Sequence, residues 1–189
     1  EVMATIGAAL AFSAIRNGDK AGLLLFSDRI EEYIPPRRGR NHLLTIIRAL
    51  LATAPQGKGT DPDVAFRFVT KALKKRSLLF FLSDMHFPVL PESAALAVRR
   101  HEMIPIGVFD RLGHDSFPFG AVRVRDPERG ETGIIDLASA AREAWNRFRA
   151  EKDEAFRRLN TPSLWIENHP DFINDLVGGF RRLARERRR

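Results

Sequence analysis

Three short apolar runs, separated by segments with helical periodicity, constrain the fold of this chain more than any other feature. The runs are Ala21–Ser27, Ser77–Leu82 and Met103–Phe109. Continuous apolarity over such a length is typical of parallel strands that helices cover on both faces. Strands that alternate with amphipathic helices favour a doubly wound fold with right-handed crossovers. We therefore predict an α/β fold in which these runs are the central strands of a mostly parallel sheet, with helices on both faces.

Local patterns predict the remaining elements. Apolar residues recur at three- and four-residue steps, which predicts helices, at about residues 2–13, 43–51, from 61 onward, 92–100, 137–159 and 172–183. Further strands are predicted at Glu31–Ile34 and Thr161–Ile166. An antiparallel hairpin is predicted from Ala121–Arg125 and Gly133–Asp136, with the turn between them.

The helical pattern already runs at the first residue. Val2, Ile6 and Leu10 follow Glu1 at helical spacing, and no capping residue precedes them. We therefore expect the chain to be a fragment of a longer protein, in which residues 1–189 form one domain.

Composition excludes several classes of site. The chain has no cysteine, which excludes disulfides, thiolate zinc sites and thiol nucleophiles. The absence of cysteine fits a reducing compartment, and no apolar run approaches the roughly 18 residues that span a bilayer. We therefore predict a cytoplasmic location.

Positive charge is concentrated at the C-terminal end of a chain whose formal net charge is +7. Glu186 stands there among Arg181, Arg182, Arg185, Arg187, Arg188 and Arg189. Such a tail could bind phosphate or an acidic protein surface. The alternative is a solvated helix end whose arginines favour the negative pole of the helix dipole. We favour the alternative, because no aromatic residues that could stack on bases are interleaved with the arginines.

Several candidate ligand residues follow the predicted strands or precede a helix. Ligands of an open parallel sheet bind beyond the carboxyl ends of its strands, and the residues there are Ser27, Asp28, Ser83, Asp84 and Asp110, with Gly59, Thr60 and Asp61 entering a helix. Hydroxyl and carboxylate oxygens are the ligands that Mg²⁺ prefers. Simpler alternatives exist, since Thr60 and Asp61 could cap the helix and Asp84 could be an exposed loop residue.

Common catalytic motifs do not occur in the sequence. The five histidines lack metal-ligand spacing, the segment Gly57–Gly59 lacks the full phosphate-loop pattern, and there is no G-x-S-x-G elbow. His86 is the histidine nearest the candidate residues, and we interpret it as a loop residue. A metal-dependent hydrolase using Asp84 and Asp110 is the least favoured function, because no base is placed to activate water. We predict that the chain is not an enzyme.

The order of five segments resembles a known family. GDKAGLLLFSD, IPPRRGRNHLL, GTD and SLLFFLSD, followed by VRDPERGETGIIDL, resemble the bacterial domain-of-unknown-function family 58 along essentially the whole chain. Members of that family are built on a von Willebrand factor A fold. The resemblance implies a metal-ion-dependent adhesion site formed by three loops, in which Thr60 matches the second loop and Asp84 the third. The D-x-S-x-S motif of the first loop does not occur in this sequence.

The resemblance also implies a cofactor and a partner. Mg²⁺ would be bound by the full-length protein, whereas we expect no tightly bound Mg²⁺ in this chain, which lacks the first motif. Many family members are encoded beside MoxR-type AAA+ ATPases, so such an ATPase is the implied partner. We therefore predict a protein-binding module with Thr60 and Asp84 in a partial metal site, their oxygens within about 8 Å of each other.

An alternative function remains open, which is binding to nucleic acid or an acidic surface through the arginine-rich tail and the loop Pro35–Arg40. Salt and chelator separate the two functions, because counterion release makes nucleic-acid affinity fall steeply with salt.

The resemblance further implies that the opening strand, which is central in a von Willebrand factor A fold, is missing from this chain. Ala21–Ser27 and Ser77–Leu82 would then face a gap. Each buried, unpaired backbone group costs about 1–3 kcal/mol. We therefore predict that these two strands pair directly, or that another chain supplies a strand in a dimer or swapped assembly.

Overall fold

The computed structural model describes residues 1–110, 121–125 and 132–186. Helices α1 to α6 span, in chain order, Val2–Arg16, Arg40–Ala52, Pro62–Ala72, Glu92–Arg100, Leu137–Arg157 and Phe172–Glu186. Strands β1 to β7 span Ala21–Phe26, Ile30–Arg37, Leu78–Ser83, Glu102–Phe109, Ala121–Arg125, Thr132–Asp136 and Leu164–Glu167.

The centre of the fold is a parallel sheet in the order β3-β4-β7. Leu78 to Ser83 pair with Glu102 to Gly107 in continuous parallel register, and the second half of β4 pairs with β7. Helices cover both faces of this sheet, as the continuous apolar runs require. The predicted α/β class and the parallel pairing of the second and third apolar runs are confirmed.

The first apolar run does not join this sheet. Strand β1 pairs antiparallel with β2, from Ala21 opposite Arg37 to Phe26 opposite Ile30. The turn between them is tight, since the Ser27 N–H donates to the Arg29 carbonyl oxygen at 2.9 Å. A turn of this kind returns the chain beside itself and therefore favours antiparallel pairing. The prediction that Ala21–Ser27 is a central parallel strand is wrong.

The predicted hairpin is confirmed, because β5 and β6 pair antiparallel from Ala121 opposite Asp136 to Arg125 opposite Thr132. The turn of that hairpin, with the DPERGE part of the family-like segment, lies outside the described residues. So do Arg187 to Arg189 of the arginine-rich tail.

Side chains of β4 alternate between two cores. Ile104, Ile106 and Val108 point into a cluster completed by α1, β7 and α6. Met103 points to the opposite face, where residues of α3, α4 and α5 form a second cluster. This alternation follows from the two-residue period of a strand. A third cluster joins α1, α2, β1 and β2, so that α1 packs into two of the three cores.

Strands β1 and β3 lie near each other without pairing. The Phe26 and Phe81 rings stack with their centroids 5.9 Å apart, and α1 packs against both strands. No backbone ladder joins β1 to β3 within the described ranges. The predicted direct pairing of these strands is therefore wrong, and each has one edge that no described strand pairs with.

The second predicted route, in which another chain supplies a strand, stays a prediction. Unpaired strand edges are templates for pairing, so we expect light scattering at low micromolar concentration to give twice the chain mass of 21.4 kDa. Lysine on an edge strand opposes such pairing. Leu78→Lys on β3 should therefore shift the protein towards monomer, whereas Leu96→Lys, at an equally exposed leucine of α4, should not. A monomeric parent chain would contradict this prediction.

Candidate functional site

Thr60 lies in the loop before α3, two residues ahead of the helix, and its side chain is exposed. The next residue, Asp61, caps the helix, because its carboxylate accepts the Asp63 N–H at 2.9 Å. Pro62 follows in the first turn, where proline is tolerated. The capping alternative is thus correct for Asp61, while no described hydrogen bond engages the Thr60 hydroxyl.

Asp84 follows the carboxyl end of β3, and its side chain is also exposed. Its carboxylate accepts the His86 N–H at 3.0 Å, which fixes the local turn. Between them, Met85 has a left-handed backbone with φ 62° and a fully buried side chain. The buried Met85 side chain therefore fixes the backbone on which Asp84 is presented to solvent.

The loops that carry Thr60 and Asp84 meet at one edge of the fold. Helix α3 starts two residues after Thr60, and α4 starts after the loop that contains Asp84. The two helices pack together, and the Ser93 hydroxyl of α4 donates to the Asp63 carboxylate of α3 at 2.6 Å. Their N-terminal ends are therefore adjacent, at the carboxyl end of β3. The separation of about 8 Å between the Thr60 and Asp84 oxygens stays a prediction.

The end of β1 and the start of β2 support the loop before α3. The Glu31 carboxylate accepts the backbone N–H groups of Gln56 and Gly57 at 3.1 and 2.8 Å, together with the Ser27 hydroxyl. The Asp61 N–H donates to the Ser27 carbonyl oxygen at 2.9 Å. This network ties residues 56–61 to the end of β1 and so holds Thr60 in place.

Gly57 is required by this contact. A Cβ at position 57 would overlap the Ser27 hydroxyl and the Asp28 carboxylate. Asp28 also accepts the Lys58 N–H at 3.4 Å, so its carboxylate supports the loop instead of pointing away from it.

Hydrogen bonds lower the pKa of both supporting carboxyls. For Glu31 the Ser27 hydroxyl is the main cause, followed by the N–H groups of Gly57 and Gln56. For Asp28 the bond from Arg29 is the main cause of the lowered pKa, followed by the Lys58 N–H. Donors that stabilise the ionised form lower a carboxyl pKa. These two carboxylates are thus held in the charged form by the loop that they bind.

Lys152 of α5 anchors the far end of the Asp84 loop. Its ammonium group donates to the carbonyl oxygens of Phe87 and Pro88 at 2.6 and 3.2 Å. The same group lies over the Phe87 and Phe148 rings. A buried charge is tolerated where donors are satisfied in this way.

A cluster of aromatic side chains includes His86, two residues after Asp84. The His86 ring stacks on Phe148 with the centroids 5.0 Å apart, and Trp145 contacts both Phe148 and Phe109. The prediction that His86 is a loop residue is confirmed, and its ring packs on Phe148. Asp110 follows β4 and is exposed, and it accepts the Asn168 side-chain amide at 3.5 Å.

The oxygen donors suit a hard cation, but they are few. Within the described ranges, no group of three or more histidine, aspartate or glutamate side chains is arranged to hold a metal ion. Thr60 and Asp84 could contribute one hydroxyl and one carboxylate oxygen, and water would have to complete the octahedron that Mg²⁺ demands. Their role as metal ligands stays a prediction.

Two features of the structure have no signal in the sequence. Glu31 lies in a short polar segment that predicts a strand, and nothing in that segment indicates that its carboxylate binds residues 56 and 57. The sequence likewise gives no sign that His101 is buried at the opposite edge of the sheet. Both features depend on the packing of distant parts of the chain.

The Glu31 network makes a pH-dependent prediction. Because its pKa is lowered on folding, Glu31 stabilises the fold above its ordinary pKa of 4.5, and this contribution is lost as the pH falls through the lowered pKa. Glu31→Gln should therefore lower the urea midpoint at pH 7, and the deficit should shrink below about pH 4. Glu143→Gln, at an exposed glutamate of α5, is the control. An equal deficit at both pH values would show that the carboxylate charge is not what binds the loop.

Two solved structures share the fold. BatB, a conserved hypothetical protein from Bacteroides thetaiotaomicron, matches with a TM-score of 0.53 and 13% identity, covering 96% of this chain and 88% of that one. An aerotolerance-related membrane protein from Bacteroides fragilis matches with a TM-score of 0.51 and 16% identity, covering 90% and 84%. In the described part of the present chain, no helix has the length and apolarity needed to cross a bilayer.

Sequence relatives are found in mycobacteria. The uncharacterized protein Rv1480 of Mycobacterium tuberculosis and the uncharacterized protein Mb1516 of Mycobacterium bovis are each 27% identical over 190 residues. The match covers 96% of this chain and 58% of each relative, so the chain spans less than two thirds of their length. A family model described as "Protein of unknown function DUF58" matches residues 1–155. The chain therefore belongs to the DUF58 family.

Proposed function

We propose that this domain is a protein-binding module of the von Willebrand factor A type, which presents Thr60 and Asp84 to a partner. The supporting observation is that both side chains are exposed on loops that the rest of the molecule holds in place at one edge. Binding residues are typically carried by loops on a rigid scaffold. The fold alone would not justify this proposal.

Mg²⁺ is the proposed cofactor of the full-length protein at this edge. Bound there, the ion would supply a positive charge and an open coordination position that an acidic side chain of the partner could fill. Thr60 and Asp84 would contribute two oxygens, and further ligands would come from outside this chain. Binding of Mg²⁺ to this chain alone is proposed to be weak.

The proposed partner is a MoxR-type AAA+ ATPase. This proposal is supported by the family resemblance and by the exposed Asp84 carboxylate, whose loop is anchored by Lys152. A catalytic role for Asp84 is not proposed, because its carboxylate accepts the His86 backbone N–H and no described side chain next to it serves as a base.

The second candidate is an acidic-surface binder. It is favoured by the exposure of Arg181, Arg182 and Arg185 on the last helix, and of Arg38 and Arg40 around the start of α2. Such a surface would attract nucleic acid or acidic protein by its charge, with a strong dependence on salt. We rank it second because no aromatic residues that could stack on bases are interleaved with the C-terminal arginines in the sequence.

The first experiment measures the affinity of the parent chain and of two site variants for a MoxR-type ATPase. Asp84→Asn keeps an acceptor for the His86 N–H but removes the charge, and Thr60→Val removes only the hydroxyl. We expect each to weaken binding about tenfold, equivalent to about 1.4 kcal/mol, and a chelator to have the same effect. Asp19→Asn, at an exposed aspartate after α1, is the control. If binding is insensitive to Asp84→Asn but falls steeply with salt, the second candidate is correct.

The metal is tested separately by titration calorimetry. With Mg²⁺ alone we expect this chain to give no heat of binding at micromolar ion concentration, because few ligands are present. Micromolar affinity that Asp84→Asn abolishes would prove this expectation wrong and would indicate a more complete site than Thr60 and Asp84 provide.

A further inference from the structure

A cavity of about 440 Å³ lies at the edge of the sheet opposite Thr60 and Asp84. It is next to the amino end of β4, whereas Asp84 follows the carboxyl end of the parallel neighbour β3. Its lining comes from the connection before β3, from the end of α4, from the start of β4 and from the residues after α5. Small-molecule sites typically have volumes of about 300–1,000 Å³, so this cavity is of the right size for a metabolite.

His101, in the wall of this cavity, is a buried polar group without a partner. Its exposed fraction is 2%, and neither ring nitrogen has a hydrogen-bond partner among the described residues. A neutral imidazole has one N–H donor and one acceptor nitrogen. Leaving such groups unsatisfied in a buried position destabilises the folded state. Burial, followed by the charge of Arg100, lowers the pKa of His101.

Three arginines surround the same cavity. Arg76, Arg99 and Arg158 come from three different segments, and all three side chains are exposed. Two carboxylates partly offset them, since Glu102 is also in the wall and Glu154 pairs with Arg158 at 3.1 Å. The local charge is therefore positive but not extreme.

The rest of the wall is apolar. Val98, Met103 and Leu159 contribute apolar side chains to it. Apolar walls with a few convergent polar groups are typical of sites for small organic ligands.

We propose that this cavity binds a small organic phosphate, with the phosphoryl group at the three arginines and the organic body against the apolar wall. A phosphoryl group offers three oxygens to guanidinium groups that approach from separate directions, and the arginine fork matches phosphate geometry. A carboxylate offers two oxygens in one plane. An outward shift of the His101 ring into the cavity brings its nitrogens within reach of the ligand and satisfies them. This site shares no residue with the proposed protein-binding edge, so each proposal can fail without the other.

Calorimetry with phenyl phosphate tests the site, and benzoate and inorganic phosphate are the comparison probes. We expect phenyl phosphate to bind more tightly than either, because benzoate lacks the third oxygen and inorganic phosphate lacks the organic body. Arg99→Gln should weaken binding about tenfold, the effect of losing about 1.4 kcal/mol. Arg48→Gln removes the same charge from an exposed site on α2 and should leave the affinity unchanged.

His101 supplies an independent readout. We expect its ring C–H resonances to shift on titration with phenyl phosphate. His101→Phe should bind more weakly while its melting temperature is unchanged or higher, because an apolar ring leaves no unsatisfied nitrogen. The proposal is overturned if phenyl phosphate does not bind at millimolar concentration, or if Arg48→Gln weakens binding as much as Arg99→Gln. Binding that leaves the His101 resonances unmoved also overturns it.

Discussion

Burial of β4 on both faces is the constraint on which the rest of the structure depends. From Met103 to Val108 every residue of this strand is buried, and its side chains alternate between the cores formed with α1 and α6 and with α3, α4 and α5. A parallel strand needs such cover, because its neighbours are reached only through crossover connections that lay helices on the faces. Gly107 lies in the middle of β4 against the Trp165 ring, in a space that a Cβ would overlap. The strand therefore fits its neighbours by shape as well as by apolarity.

The parts of the fold that the sequence predicts correctly are those that local patterns determine. The runs Ser77–Leu82 and Met103–Phe109 become parallel neighbours, and the helices lie where apolar residues recur at helical spacing. The prediction that Ala21–Ser27 belongs to the parallel sheet is wrong because an apolar run indicates a buried strand and not the direction of its partner strand. The tight turn at Ser27–Arg29 determines that direction, and it is a polar segment that no periodicity marks.

The candidate site shows the same division between local and tertiary information. Asp84 could be selected from the sequence because it follows a strand end, where a parallel sheet binds ligands, and Thr60 because it matches the second loop of the metal site that the family resemblance implies. Glu31 could not, since its role is to accept N–H groups from residues 25 and 26 positions later in the chain. Gly57 likewise has no sequence signature beyond being a glycine, and the need for it appears only when the Ser27 hydroxyl lies against its Cα. Residue type and position in the sequence therefore indicate exposed candidate ligands such as Asp84, but they do not indicate residues such as Glu31 that fix the loops carrying those ligands.

Lys152 shows how the core and the exposed edge are connected. Its side chain is 6% exposed, and burying an ammonium group is costly unless its donors are satisfied. The carbonyl oxygens of Phe87 and Pro88 accept hydrogen bonds from the ammonium group. The faces of the Phe87 and Phe148 rings attract its positive charge. Because Met85 and Phe87 are themselves buried, the loop is held by a charged anchor and by two apolar ones, while Asp84 stays exposed between β3 and these anchors. The stability of the second core and the position of the Asp84 carboxylate therefore depend on the same few residues.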